Sequence, residues 1–121
     1  MPYSDLLRDH LINPRRAGEV DDPDAAAEEV NPACGDRLRL SLRLGGGRIA
    51  EARFLAYGCP PTLACGSALA EMLEGLTIEE ARALTRQDLT RALGGIPARK
   101  THAAALAIET LRSALSILPR G

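Results

Sequence analysis

Alternating apolar and polar residues define a strand in the middle of the chain. Leucine occupies every second position from 38 to 44, with arginine or serine between. This period of two predicts a half-buried strand with one solvent-exposed face. Gly45-Gly46-Gly47 favours a hairpin turn, because glycine accepts the positive φ angles that such turns require. The pattern of residues 48–57 predicts the returning strand. Antiparallel pairing then places Cys59 near the start of the strand that begins before Leu38.

Apolar residues at helical spacing dominate the rest of the sequence. The predicted helices are residues 3–12 with a cap at Ser4 or Asp5, a helix opening at Pro60-Pro61, a short helix from Ile78, residues 85–93, and a long C-terminal helix from about residue 98 to residue 118 that ends at Pro119. Residues 15–29 are acidic and alanine-rich. We interpret them as a solvated, mobile connection, with a short helical turn at residues 24–29 as an alternative.

A helix, a hairpin and further helices, in this order, are typical of an α+β fold. The prediction is a small antiparallel sheet covered by helices on one face, with a long C-terminal helix. A length of 121 residues fits one domain, residues 1–121.

Composition and charge argue against several classes of function. Aromatic residues make up 2% of the chain and the net charge is -1, which disfavours nucleic-acid binding through base stacking or a basic surface. The apolar runs are too short to span a membrane. The N-terminus lacks the pattern of a secretory signal, so we expect a cytoplasmic protein. In a reducing compartment, three cysteines favour metal binding, thiol chemistry or burial over disulfides.

Two cysteines lie in positions that suit metal binding. Cys34 and Asp36 occupy the loop before the first strand and offer a soft sulfur and a hard oxygen, although a loop cysteine beside a capping aspartate also fits the pattern. Cys59 lies between Gly58 and Pro60-Pro61, at a predicted helix N-terminus. Unpaired amides and the helix dipole favour a thiolate there. The alternative role of Cys59 is packing of the turn.

Two further residues, Cys65 and His102, are candidates on weaker grounds. Cys65 shares an apolar helical stripe with Leu69 and Met72, which favours a core cysteine, with an auxiliary thiol as the alternative. His102 opens the last helix and is either an imidazole ligand or a surface residue. His10, in the first helix, is interpreted as facing solvent or a partner.

Several ordered motifs resemble the IscU/NifU-type iron–sulfur cluster assembly scaffold family, of the SufE/NifU superfamily, along nearly the whole chain. The motifs are Tyr3-Ser4-Asp5 through His10 with Asn13-Pro14-Arg15, then Asn31-Pro32-Ala33-Cys34-Gly35-Asp36, then Ala56-Tyr57-Gly58-Cys59, and finally Ile96-Pro97-Ala98-Arg99-Lys100-Thr101-His102. By position, the residues that match the family's metal-site residues are Cys34, Asp36, Cys59 and His102.

The resemblance implies both a fold and a role. The fold is a three-stranded antiparallel sheet with helices packed on one face. The role is that of a non-enzymatic scaffold that binds iron, accepts sulfur from a cysteine desulfurase and holds a transient [2Fe–2S] cluster. The scaffold then passes the cluster to acceptor apo-proteins.

Three positions depart from the family pattern. Ala103 stands where the family has its third cysteine, directly after the histidine. Pro60-Pro61 replaces a common Gly-Ser pair. Residues 96–100 keep only the first proline and the lysine of the family's chaperone-recognition segment, which gives little support for engagement of a dedicated Hsp70-type chaperone.

Loss of the third thiolate leaves two possible ligand sets. One is the four-donor set Cys34, Asp36, Cys59 and His102, which suits zinc or a mixed-ligand cluster. In the other, Cys65 enters the cofactor-binding shell as a third thiolate. The leading expectation is therefore a scaffold or carrier with an altered ligand set. The alternatives are a zinc-binding sulfur-acceptor or desulfurase-regulating module that builds no cluster, and a paralogue that only binds partners.

Overall fold

The computed structural model describes residues 3–118, so Pro119 and both ends of the expected domain 1–121 lie outside the described residues. The elements are α1 (Asp5–Ile12), β1 (Ala25–Val30), β2 (Arg37–Gly45), β3 (Arg48–Tyr57), α2 (Pro60–Leu73), α3 (Ile78–Arg82), α4 (Arg86–Ala92) and α5 (His102–Leu115), with a 3₁₀ turn at Ala98–Lys100. Between residues 3 and 118, no helix is both long enough and apolar enough to cross a lipid bilayer.

The three strands form one antiparallel sheet in the order β1-β2-β3. The apolar side chains of β2 are at most 1% exposed at Leu38, Leu40 and Leu42. They lie beneath α2, which packs on β2 and β3, and α5, which packs on β1 and β2. The expected α+β fold, with a three-stranded sheet and a long C-terminal helix, is confirmed.

Side-chain caps explain where several helices begin. Ser4 accepts a hydrogen bond from the amide of Leu7 and caps α1, as its position in the sequence predicts. Thr77 and Thr85 form capping boxes with Glu80 and Asp88, so α3 and α4 begin where the sequence places them. The last helix begins later than predicted, because residues 98–100 form a separate 3₁₀ turn.

The interpretation of residues 15–29 as a solvated connection, with a short helical turn at 24–29, is wrong for residues 25–29. Ala25–Val30 is strand β1, which pairs with β2 from Ala25 opposite Leu42 to Val30 opposite Arg37. Upstream, the amide of Gly18 donates to the carbonyl of Phe54, so this segment follows the outer edge of β3. Alanine and glutamate have weak strand preferences, and pairing with the backbone of β2 overrides them.

The second face of the sheet is less exposed than the alternation of β2 predicts. Ser41 is 1% exposed and its hydroxyl accepts a hydrogen bond of 2.9 Å from the amide of Val20. Val20 itself is 3% exposed. The segment between α1 and β1 therefore covers part of this face, and the prediction of a fully solvated face is wrong there.

Candidate metal centre

The candidate site lies where the β2–β3 hairpin opens. Asp36 immediately precedes β2, and Cys59 follows β3 after a single glycine. Because Arg37 pairs with Tyr57 in the antiparallel register, both residues lie at the same end of the sheet. The Sγ atom of Cys59 is 3.2 Å from Oδ2 of Asp36. This is the proximity that the hairpin topology predicts.

The carboxylate of Asp36 is the centre of the cluster and is 4% exposed. Its Oδ2 atom accepts a hydrogen bond of 2.8 Å from the hydroxyl of Thr62 and lies 3.3 Å from Nε2 of His102. Its Oδ1 atom accepts a hydrogen bond of 3.3 Å from the backbone amide of Cys59. Asp36 is thus in contact with the start of α2 and the start of α5.

Hydrogen bonding sets the protonation of Asp36. Burial alone would raise the pKa of this carboxyl group. Hydrogen bonds from the Thr62 hydroxyl, from the thiol and amide of Cys59 and from the Cys34 thiol outweigh burial, and the pKa lies below its usual value. The carboxylate is therefore negatively charged at neutral pH, as a metal ligand must be.

Gly58 allows the close approach of Asp36 to the start of α2. It has a φ of +147°, and a Cβ atom at this position would lie 2.2 Å from Oδ1 of Asp36. Any side chain would therefore displace the carboxylate. The short Gly58-Cys59 connection is a structural requirement of the cluster.

His102 is the first residue of α5 and is partly exposed. Its Nε2 atom lies 3.8 Å from Sγ of Cys59 and 3.3 Å from Oδ2 of Asp36. The packing of α5 on β1 and β2 carries the start of the helix to the open end of the hairpin. The structure thus places His102 with the candidate ligands.

Cys34 is exposed at the tip of the loop between β1 and β2. The loop is closed by hydrogen bonds from the amide of Asn31 to the carbonyl of Asp36, 2.8 Å, and from the amide of Gly35 to the carbonyl of Asn31, 2.7 Å. One ligand atom from each of Cys34, Asp36 and His102 can be chosen so that all three lie within 4.8 Å of one another. The loop therefore holds the thiol against the buried carboxylate.

The donor atoms suit a tetrahedral ion. Zinc ligands at about 2.0–2.3 Å and tetrahedral angles lie about 3.3–3.8 Å from one another. The three contacts among Asp36, Cys59 and His102 measure 3.2, 3.3 and 3.8 Å. The Cys34 sulfur lies within 4.8 Å of a ligand atom of Asp36 and of His102, and it adds a second sulfur to these donor types, which are ones that zinc or a mixed-ligand iron–sulfur cluster accepts.

Cys65 lies away from this set, in the hydrophobic core. It is 0% exposed, and burial raises the pKa of its thiol to about 12, with a smaller contribution from the neighbouring Cys59. The structure places Cys65 in the core that its helical stripe predicts. Entry of Cys65 into the ligand shell remains a prediction.

Thr62 is a site residue that the sequence interpretation missed. It lies three residues after Cys59, which occupies the N-cap position of α2, and it is 0% exposed. Residues at this spacing face the same way at a helix N-terminus, as in a capping box. The spacing of Cys59 and Thr62 was therefore the feature of the sequence that could have identified Thr62 as a site residue.

The interpretation of His10 as facing solvent or a partner is wrong. His10 is 7% exposed, and its Nδ1 atom lies 2.7 Å from the hydroxyl of Ser67. That hydroxyl also accepts the amide of Arg15, so its single hydrogen points to His10. Burial, followed by the charge of Arg15, lowers the pKa of His10, whereas Glu71 and Asp9 oppose the shift. A neutral His10 therefore ties α1 to α2.

The sequence matches the family described as NifU-like N terminal domain over residues 2–120. It is 47% identical over 114 residues to the Bifunctional protein NifU/MnmA of Rubrobacter xylanophilus, covering 93% of this chain and 23% of that protein. It is 40% identical over 113 residues to the Iron-sulfur cluster assembly scaffold protein IscU 1 of Archaeoglobus fulgidus, covering 93% of this chain and 74% of that protein. The chain thus spans about a quarter of the first relative and about three quarters of the second.

The fold is also found in solved structures. A putative iron-sulfur cluster assembly scaffold protein for the SUF system from Fervidobacterium islandicum superposes with a TM-score of 0.78 at 21% identity. The alignment covers 95% of this chain and 97% of the other. The resemblance seen in the sequence motifs is confirmed, and the chain belongs to the NifU-like N terminal domain family.

Proposed function

We propose that this chain is a non-enzymatic iron–sulfur cluster assembly scaffold or carrier, built as one domain over residues 1–121. The convergence of Cys34, Cys59 and His102 on the buried, negatively charged Asp36 carries the proposal. These side chains provide sulfur, nitrogen and oxygen donors for iron within a small volume. The scaffold names of the relatives support the same role.

Cys34 is the proposed acceptor of sulfur, because it is the exposed cysteine of the three. In the transfer, its thiolate attacks the terminal sulfur of a cysteine desulfurase persulfide. The donor's sulfur–sulfur bond breaks, the donor cysteine leaves as a thiolate, and a new sulfur–sulfur bond forms on Cys34. Reduction to sulfide then requires a separate electron donor, and acceptor apo-proteins receive the completed [2Fe–2S] cluster.

Anaerobic reconstitution tests the scaffold role. The chain is incubated with ferrous iron, cysteine, a cysteine desulfurase and a thiol reductant, and cluster formation is followed by visible absorbance. We expect Cys34→Ala to lose the absorbance and Cys65→Ala to keep it, because the Cys65 thiol lies in the core. A wild-type chain that holds no cluster under these conditions would refute the scaffold role. Loss of the cluster in Cys65→Ala alone would instead favour Cys65 as the third thiolate.

The second candidate function is a zinc-binding sulfur acceptor or desulfurase regulator that builds no cluster. Ala103 favours it, since this residue is 0% exposed, supplies no donor atom and stands where the family's third thiolate would be. The remaining donors, two thiols, an imidazole and a carboxylate, are all ligand types that zinc binds. Bound zinc in freshly isolated protein, together with faster desulfurase turnover, would support this function. Iron without zinc would count against it.

The cytoplasmic location expected from the sequence belongs to the same proposal. All three cysteines are free, as is usual where thiols are kept reduced. Cell fractionation with an antibody to the chain tests the location, and recovery in an oxidising compartment would contradict it.

A further inference from the structure

Thr62 lies behind the candidate ligands, on the side of Asp36 that faces the protein interior. Its side chain is 0% exposed, and its Oγ1 atom is 2.8 Å from Oδ2 of Asp36 and 3.3 Å from Sγ of Cys59. We propose that Thr62 is a positioning residue that raises the affinity of the cluster for its metal by holding the Asp36 carboxylate in place. This inference rests on the proposed metal-binding function.

The hydrogen count defines what Thr62 does. A hydroxyl group has one hydrogen, and Thr62 donates it to Oδ2 of Asp36. Toward Cys59 it therefore offers only a lone pair, while the single thiol hydrogen of Cys59 is directed to Oδ2 of Asp36. Thr62 thus stabilises the charged Asp36 carboxylate.

When a metal binds, the orientation of the Asp36 carboxylate should depend more strongly on its hydrogen bond from Thr62. The free cluster has other donors to this carboxylate, namely the thiols of Cys34 and Cys59. Both thiols lose their hydrogens when they bind a metal, and the Nε2 lone pair of His102 would point at the ion. Among the described residues, the Thr62 hydroxyl and the Cys59 amide would remain as hydrogen-bond donors to the Asp36 carboxylate.

A carboxylate oxygen has two lone-pair positions, so Oδ2 of Asp36 can bind an ion while it accepts the Thr62 hydroxyl. Hydrogen bonds of this kind fix the orientation of a ligand before the metal arrives. Their removal typically lowers metal affinity about 10–100-fold. The same loss is expected here, because Asp36 would otherwise rotate away from His102 and Cys59.

Zinc and cobalt binding to the full chain, measured by competition with a chelator, tests the inference. Thr62→Val keeps the side-chain shape without the hydroxyl, and we expect about 10–100-fold weaker zinc binding. Thr62→Ser keeps the hydroxyl and should bind zinc as the wild type does. Cobalt absorption bands should shift in Thr62→Val and stay unchanged in Thr62→Ser.

Thr110→Val is the matched control. Thr110 is also 0% exposed, and its hydroxyl donates to the carbonyl of Leu106 within α5, at 2.8 Å. The Thr110→Val substitution removes a buried hydroxyl that does not contact Asp36, so zinc affinity should not change. If Thr62→Val fails to give a folded circular dichroism spectrum, Thr62→Ala takes its place in the comparison.

A double-mutant cycle separates positioning from general destabilisation. In an Asp36→Ala background, Thr62→Val should cost no further zinc affinity, because its target is gone. If folded Thr62→Val binds zinc as tightly as the wild type, the positioning role of Thr62 is refuted, but the proposed metal centre is not. A wild-type chain that binds neither zinc nor cobalt would remove the metal centre of the proposed function as well.

Discussion

Replacing Gly58 with alanine tests whether the packing around Asp36 builds the site. An ideal Cβ atom on Gly58 would lie 2.2 Å from Oδ1 and 2.5 Å from Cγ of Asp36. Side chains do not tolerate such distances, so the carboxylate must move. It would then leave its hydrogen bonds with the Cys59 amide and the Thr62 hydroxyl.

Two terms determine the size of the effect. A φ of +147° is unfavourable for alanine, and strain of this kind costs about 1–3 kcal/mol. A hydrogen bond to a charged group contributes about 1.5–3 kcal/mol, so strain plus the loss of one such bond lowers the unfolding free energy by roughly 2.5–6 kcal/mol. Zinc affinity should fall at least about tenfold, because the displaced carboxylate is a proposed ligand.

Urea unfolding and zinc titration measure the two effects, and Gly95→Ala is the control. Gly95 has a φ of +108°, and a Cβ atom there would have no neighbour within 4 Å. Gly95→Ala should therefore show the backbone strain alone, with zinc affinity unchanged. If Gly58→Ala loses no more stability than Gly95→Ala and binds zinc as the wild type does, the contact between Gly58 and Asp36 does not shape the site.

Three further outcomes are expected. Burial holds the pKa of His10 below its usual value of 6.5, so the unfolded chain takes up a proton first as pH falls. The contribution of His10 to stability is therefore complete above about pH 6.5 and decreases below it. The His10→Gln variant should lack this part of the pH dependence of the melting temperature. Equal pH profiles of the variant and the wild type would contradict the prediction. Iodoacetamide should modify Cys34 in the native chain and reach Cys65 only after unfolding, because the latter is buried with a pKa raised to about 12; mass spectrometry of the labelled chain decides this. Gly66→Ala should lower the unfolding free energy by about 1–3 kcal/mol through overpacking, because its Cβ atom would lie 2.5 Å from Cδ2 of Phe54. Zinc affinity should stay the same. An unchanged stability would refute the close packing of α2 on the sheet.

Local chemistry explains the parts of this fold that the sequence predicts. The capping threonines, the glycine turn and the period-two leucines each act within a few residues. Their effects are therefore readable without knowledge of the rest of the molecule. The meeting of Asp36 and Cys59 belongs to this class as well, because an antiparallel hairpin returns the chain to its starting end.

The remaining features depend on contacts between parts of the chain that are far apart in sequence. Residues 25–30 become a strand because the free edge of β2 accepts them, a pairing that their own preferences oppose. His10 is buried because Ser67, 57 positions away, supplies its hydrogen bond.

The same distinction applies within the candidate site. The residue types and the hairpin pattern alone predict which donor types are present and that Cys59 returns toward Asp36. The packing of α5 decided that His102 joins them, and the burial of α2 decided that Thr62 faces the carboxylate while Cys65 faces the core. Such contacts depend on how separate elements pack against one another, and short-range patterns do not encode that packing.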